Sequence, residues 1–546
     1  MIEKVTLLWP EIALFITTCV VMLVGLSPNR ATRNLCAPLT FVGLVAAGLL
    51  AWWVAASSRT ALPNLPVYGK MLIAVVGCLL VPLLSGTADR DLEADVDRGR
   101  PFEALRSIRA EFWSFFLFSI TGLMLTCSAD DLIFLFLALE LTSLPTYVMV
   151  ALSTSRNRSM EAAVKYFFLG ALGAAVFLYG FALIYGGTGS TKFLAIQEAI
   201  AAQAAAGGIN PIALLGLVLA ILGVCFKIAA VPMHFYTPDV YEGSSAPVAG
   251  FLAFVPKAAG FFAIILLCTL AGWRFDPTDA LVSGTSLPET IRVLLWIIAV
   301  LTMTVGNVLA IMQHNVKRIL AYSSIAHSGY MLVGVIAGPG PADSGFTRNG
   351  IAAVLFYLLS YGIMTIGAFA VVACLEKRGP GGETVEADDI EDLRGLALTR
   401  PLLGWTMVIC SMGLLGLPPL LGFLGKLPLF TAGIGAGEIL LVLILGLNSA
   451  IAAYYYLRLA YACFIERPGD VPNAPAVTAA PFPARRIAGA VSMVAVIVLA
   501  FAGGPLGELA LTGGDYRAAR KTQSRTASME PAPVSANAEP QARAQR

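Results

Sequence analysis

Three lysines and one glutamate stand where a chain rarely keeps charge. Lys227 and Lys257 lie in the stretch FKIAAVPMHFYTPDVYEGSSAPVAGFLAFVPKAAG, with Pro232 after the first and Pro256 directly before the second. Lys426 sits in GLPPLLGFLGKLPLF, behind Pro418 and Pro419 and ahead of Pro428. Glu140 stands in DLIFLFLALELTSLPTYVM, nine residues after Asp131. That is about 14 Å of helix, near the middle of a ~30 Å hydrocarbon core. A charge at such depth costs about 2.5–3.5 kcal/mol on insertion scales, and ionisable groups kept there serve ion paths by default. A proline in a spanning helix frees a backbone carbonyl, which is tolerated where protein or a water-filled cavity satisfies it. Lysine beside a helix break therefore reads as part of an ion path. Pairing Lys227 with Glu140 would lower the cost of both charges and leave the amine tunable.

Lys257 lies fifteen residues after Glu242 and sixteen before Trp273, deeper than its stem can snorkel from. Lys165 is only seven residues past Arg158, about 10 Å, so its position fits either the path or an interface. Of the three histidines, His327 stands alone in its span and His234 at the broken end of its helix. Both are candidate proton relays, since imidazole titrates near neutrality; capping or packing is the other reading. A b-type haem needs two facing imidazoles, which this arrangement does not offer. Tyr147, Tyr322 and Tyr330 read as helix packing, and Gly170, Gly173 and Ala174 as close helix contact.

The elements that must hold these groups are membrane helices. The chain has 546 residues, 58% hydrophobic and 13% charged, against roughly 25% charged in soluble domains; the mean hydropathy is +0.79. The net charge of +2 says nothing about nucleic acid, but no basic stripe interleaved with aromatics appears, so no nucleic-acid partner is expected and the lipid bilayer is. Nine scattered cysteines without a C-x-x-C argue against iron–sulfur, zinc or disulfide frameworks. The N-terminal apolar run carries Pro10 and Glu11 and reads as a span, not a cleavable signal.

Fourteen segments are apolar enough to predict spans, from Leu7 to Leu26 at the start to Ile487 to Ala502 at the end. The third runs from Met71 to Gly86, the seventh from Ile212 to Pro232 and the twelfth from Leu402 to Phe430. The expected fold is an all-α polytopic membrane protein. Residues 1–110 supply three helices and a charged loop, 111–275 and 288–466 two units of five spans, 485–507 a last helix, and 513–546 a disordered tail. The loop Thr87 to Glu111, with TADRDLEADVDRGR, is expected to be solvated. An external N-terminus puts Arg30, Arg33, Arg90, Arg98, Arg100, Arg106, Arg109, Arg156, Arg158, Lys317 and Arg318 on the cytoplasmic side, as the positive-inside rule requires. The seventh and twelfth spans are each broken by proline near a lysine, as matching broken segments in two halves of a transporter are.

Several stretches together carry a resemblance: DLIFLFLALELTSLPTYVMVAL, EAAVKYFFLGALGAAVFLYGFALIYGGTGS, the Lys227–Lys257 run, NVKRILAYSSIAHSGYMLVG, EDLRGLA and LLGLPPLLGFLGK. They cover roughly residues 110 to 465, and the chain resembles the antiporter-like membrane subunits of respiratory complex I, most closely subunit N of bacterial NADH–quinone oxidoreductase. The resemblance implies two inverted five-helix repeats with broken helices and a multi-pass protein of the bacterial inner membrane. It implies that Glu140 pairs with Lys227, that Lys165 modulates the pair, that Lys257 is the central lysine and that Lys426 is the terminal one. It also implies proton translocation coupled to quinone reduction elsewhere, with NADH, FMN, iron–sulfur clusters and quinone in partner subunits and no cofactor in this chain. Other membrane-arm and peripheral-arm subunits would be its partners. Rival readings are a subunit of a multi-chain sodium–proton antiporter, a subunit of a membrane-bound hydrogenase, and a structural anchor with merely paired charges. The leucine and proline after Lys426, KLPLF, depart from the aromatic usual in the family and put the local helix geometry in question.

Overall fold

A computed structural model describes residues 2–54, 60–100, 102–103, 106–154, 157–273, 287–340, 345–378, 384–465 and 477–516. Each of the fourteen apolar segments holds a helix or a broken pair. In chain order these are α1 (Trp9–Gly25), α2 (Cys36–Val54) and α3 (Leu65–Leu84), then the short polar α4 (Arg90–Asp97). Next come α5 (Arg109–Cys127), α6 (Leu132–Leu152), α7 (Asn157–Thr188), α8 (Pro211–Cys225), the short α9 (Tyr236–Gly243) and α10 (Ala246–Ala271). Leaving aside the helix Phe193–Ala205 between α7 and α8, there follow α11 (Glu289–Ile311), α12 (Val316–Ala337), α13 (Gly350–Ala373), the interrupted α14 (Pro401–Leu415) and α15 (Leu421–Gly435), and α16 (Ile439–Ala462). The chain closes with α17 (Pro483–Phe501) and α18 (Gly503–Gly513).

Among the described residues, eleven helices are long and apolar enough to cross a membrane, or twelve if the pair bent by 120° at Arg400 counts as one. The shortfall from fourteen has a physical cause. α8 and α15 are halves of interrupted segments, and α1 has 17 residues, about 25 Å of helix. The seventh segment stops being helical at Cys225, seven residues before the proline that was expected to end it.

Burial sorts the helices. The apolar lengths of α10, α12 and α13 are wholly enclosed, whereas those of α2, α7 and α17 are about one third or less buried. The interior is therefore a column of three helices, and the outer ring presents apolar faces suited to lipid. Close approach is bought by small residues: a Cβ on Gly170 would meet the Tyr147 hydroxyl at 2.0 Å, and one on Gly173 the Phe226 side chain at 2.9 Å.

Two features depart from the sequence reading. A small antiparallel sheet, β1 (Leu375–Arg378), β2 (Thr384–Glu386) and β3 (Thr478–Ala479), ordered β2-β1-β3, lies outside the helices. The charged loop after α3 is packed over its first half, while Asp97 to Arg100, Glu103 and Arg106 are exposed as expected. Asp89 is buried and accepts from Ser107 Oγ (2.6 Å) and the Ile108 amide (2.7 Å). Glu93 binds Arg33 (2.8 Å), Arg30 (2.8 Å) and Arg109 (3.2 Å), and Arg90 reaches Glu376 of β1 at 2.6 Å. Its mixed signs satisfy the basic helix ends around it, which is what lets charged groups go under. Most of the tail expected from residue 513 lies outside the described residues, but Tyr516 is packed, edge-on to Trp273 and accepting from Gln197 Nε2 at 2.9 Å.

Candidate functional site

The first helix break places Lys227. α8 ends at Cys225, and the chain runs non-helically, through Ala229 at φ +54° and a cis Val231–Pro232 bond, to α9. Carbonyls freed by the break find side-chain donors: Phe226 accepts from the Tyr236 hydroxyl (2.8 Å) and Ile228 from Ser328 Oγ (2.6 Å). Lys227 thus belongs to the break itself, its ammonium aimed at α6. There it meets Glu140 Oε1 at 3.4 Å, the Leu139 carbonyl at 3.3 Å and the Ser143 hydroxyl. The lysine is buried, while the glutamate side chain keeps 21% of its exposure. The expected pair exists.

Lys257 has no carboxylate within ion-pair distance among the described residues. Its ammonium donates to Ser328 Oγ (2.7 Å) and the Ser324 carbonyl of α12, and faces the Tyr361 ring at 5.2 Å. Ser328 therefore touches both Lys257 and the backbone carbonyl that follows Lys227. A cavity between the two lysines is lined by both of them with Tyr166, Tyr236, Thr237 and Ser324.

The second break repeats the arrangement with a different register. α14 ends at Leu415, Gly416 turns at φ +89°, a cis Pro418–Pro419 bond follows, and α15 starts at Leu421. Lys426 stands inside α15 and reaches back to the Leu415 carbonyl at 2.7 Å. That carbonyl is at the negative end of the first half-helix, a natural seat for a cation. Gly416 is required there, because a Cβ would meet the lysine stem at 2.9 Å. Pro428 is accommodated within α15, so KLPLF leaves the lysine in place. Ser449 Oγ (3.3 Å) and the Tyr330 ring (5.1 Å) complete its surroundings.

His327 lies between Lys257 and Lys426, fully buried. Nδ1 is bonded to the Tyr357 hydroxyl (2.5 Å) and Nε2 to the Tyr456 hydroxyl (2.7 Å), and Tyr456 also bonds Ser323. A neutral imidazole has one donor and one acceptor nitrogen, so one phenol must donate to it and the other accept. Passing a proton through the ring would reverse that polarity. The rings of Tyr361 and Tyr330 lie 5.3 and 5.4 Å from it, joining the surroundings of the two lysines.

Two sequence-selected residues stand apart. Lys165, eight residues into α7, does not reach the Glu140–Lys227 pair; it turns to the helix end, where Glu161 (2.8 Å) and Asp239 of α9 (3.2 Å) hold it, 44% exposed. The short distance to the interface, which left its position open, decided in favour of snorkelling. His234 is buried in the break against Phe235 and has no axis side chain as a hydrogen-bond partner among the described residues. Conversely, Ser143, Ser324, Ser328, Tyr357, Tyr361 and Tyr456 were not singled out from the sequence, and Tyr330 was taken for packing although it also bonds Asn307 (2.8 Å). The available signal was spacing: Ser324 and Ser328, and Tyr357 and Tyr361, each lie four residues apart on one helix face.

Removing the Tyr456 hydroxyl isolates the histidine contact. Tyr456→Phe leaves His327 Nε2 buried without that partner, a cost of about 1–3 kcal/mol. The expected result is a lower thermal transition of the assembled protein; an unchanged transition would show that the bond contributes nothing.

A family model described as NADH:quinone oxidoreductase/Mrp antiporter, TM, matches residues 129–452, which include Glu140, Lys227, Lys257 and Lys426. NADH-quinone oxidoreductase subunit N of Trichlorobacter lovleyi is 38% identical over 473 residues, covering 86% of this chain and 88% of the relative. The chain belongs to the NADH-quinone oxidoreductase subunit N family. A chain of respiratory complex I from Thermus thermophilus superposes with a TM-score of 0.70 at 30% identity, covering 92% of this chain and 100% of that one. A chain of the Mrp complex from Dietzia sp. gives a TM-score of 0.72 at 18% identity, over 96% and 99% of the two chains. The last likeness is one of fold alone.

Proposed function

We propose that this chain is a proton-translocating membrane-arm subunit of NADH:quinone oxidoreductase. The observation that carries the reading is the row of five enclosed groups from one helix break to the other, Glu140, Lys227, Lys257, His327 and Lys426: Glu140 pairs with Lys227, Ser328 bonds both Lys257 and the Ile228 carbonyl, and the Tyr361 and Tyr330 rings beside His327 also face Lys257 and Lys426. The chain performs no redox chemistry. On this reading NADH, FMN, iron–sulfur clusters and quinone are handled by partner subunits of the membrane and peripheral arms. Opening and closing the Glu140–Lys227 pair changes the proton affinity of Lys227 and gates transfer to Lys257, thence by His327 to Lys426. Lys165 acts on the gate through Asp239, which belongs to the half-helix behind the break. His234 is a weaker candidate relay at the far end of the same break. Moving one charge through 100 mV takes about 2.3 kcal/mol, which a change of under two pKa units in one lysine supplies.

The fourteen apolar segments are read as fourteen crossings, and the two sets of five as inverted units in a bacterial inner membrane. An external N-terminus is supported by the gathering of loop arginines on one face, where Arg30, Arg33 and Arg109 share Glu93 and Arg158 and Arg318 share Glu242. Gentle purification of the tagged chain from native membranes tests the whole reading. Companions bearing flavin and iron–sulfur clusters, with NADH–quinone activity, are expected. Small membrane proteins alone, with sodium-dependent and NADH-independent transport, would replace it with the antiporter reading.

A further inference from the structure

A second buried lysine–carboxylate pair lies outside the two five-helix units and outside residues 129–452 matched by the family. Lys70, five residues into α3, donates to Glu11 Oε2 of α1 (3.0 Å) and to the Leu7 carbonyl, and its ammonium lies 2.8 Å from Glu11 Oε1. The side chains are 2% and 5% exposed. α1 and α3 both pack on α2 and α5, so the pair closes the interior of a four-helix group. At this level α3 also touches the helix that carries Lys257: a Cβ on Gly69 would lie 2.9 Å from Cys127 Sγ of α5 and 3.3 Å from the Phe262 ring of α10. Phe262 is five residues past Lys257, about 7.5 Å further along α10.

We propose that Lys70 is a further proton-carrying amine with Glu11 as its counter-ion, a site on the external flank of the Lys257 segment. The inference rests on the functional reading above and on an external N-terminus. As a fastening, the pair gains little over apolar packing, because desolvating two charges offsets their attraction. As a proton site it has the parts of the Glu140–Lys227 gate: an enclosed amine, a carboxylate within reach and a backbone carbonyl on the same ammonium. It sits at the end of α1 and α3 away from the arginine-rich face formed by Arg30, Arg33, α4 and Arg109.

The test uses the whole complex in sealed vesicles, with NADH-driven proton translocation measured per NADH oxidised. Lys70→Arg keeps the ion pair but replaces the amine with a guanidinium that does not give up its proton. The expected result is an assembled complex whose translocation falls to the level of Lys257→Met. Wild-type translocation in Lys70→Arg would overturn the proposal. Should the larger side chain prevent assembly, the neutral double variant Glu11→Gln, Lys70→Met decides: reduced translocation supports the site, and wild-type translocation leaves only a fastening. If Lys257→Met itself translocates normally, the functional reading falls; if only Lys70→Arg does, that reading stands and this inference falls.

Discussion

Replacing Lys257 with methionine is expected to abolish proton translocation through this chain without weakening the fold. The two halves of the result have separate causes. Lys257 is enclosed in α10, held only by Ser328, a backbone carbonyl and the Tyr361 ring, with no carboxylate paired to it among the described residues. Burying an ammonium this way is costly, so an apolar side chain of similar length should match or raise stability. Methionine is flexible enough to fill the same channel of space. Translocation is another matter. Lys257 is where the cavity from Lys227 meets the tyrosine–histidine cluster leading to Lys426. Thioether sulfur carries no proton, so the row is cut at its middle. Proton uptake into vesicles and the thermal transition of the complex, measured on the same preparation, check both halves. Retained pumping would remove Lys257 from the path; lost pumping together with a much lowered transition would mean the lysine is structural.

The five groups of this row stood out in the sequence for one reason: charge and imidazole are rare in apolar runs, so each is conspicuous. Their helices were legible too, because a membrane span is the simplest pattern a chain can carry. What the sequence did not disclose is how polar but uncharged residues divide the work. Ser328 and Tyr456 look like any small or aromatic residue of a packed helix, and only the meeting of α10, α12, α13 and α16 turns them toward His327 and Lys257. Lys70 was missed for a different reason. It lies one residue before Met71, where the third apolar run begins, and reads as an interfacial lysine until α3 is seen to start at Leu65. Its partner is 59 residues away. Only the first half of the charged loop departs from expectation: alternating signs look solvated in one dimension, whereas around Asp89 and Glu93 they complement the arginines at the ends of other helices.

Lys227 should behave in the opposite way from Lys257 when it is removed alone. Lys227→Met leaves Glu140 facing a buried apolar side chain and strips an ammonium from Ser143 and the Leu139 carbonyl. Breaking a buried pair from one side costs about 3–5 kcal/mol; because the Glu140 side chain keeps 21% exposure, the lower end applies. The thermal transition should fall in Lys227→Met and recover in Lys227→Met, Glu140→Gln, where neither charge remains. Translocation should be absent from both. That combination separates a gate from a strut: if the two charges only held α6 against the break, the neutral double variant would regain transport along with stability. If it regains stability and stays inactive, the pair is needed for its charges. The difference from Lys257 then follows from where each amine keeps its counter-charge, in a facing carboxylate for one and in neutral dipoles for the other.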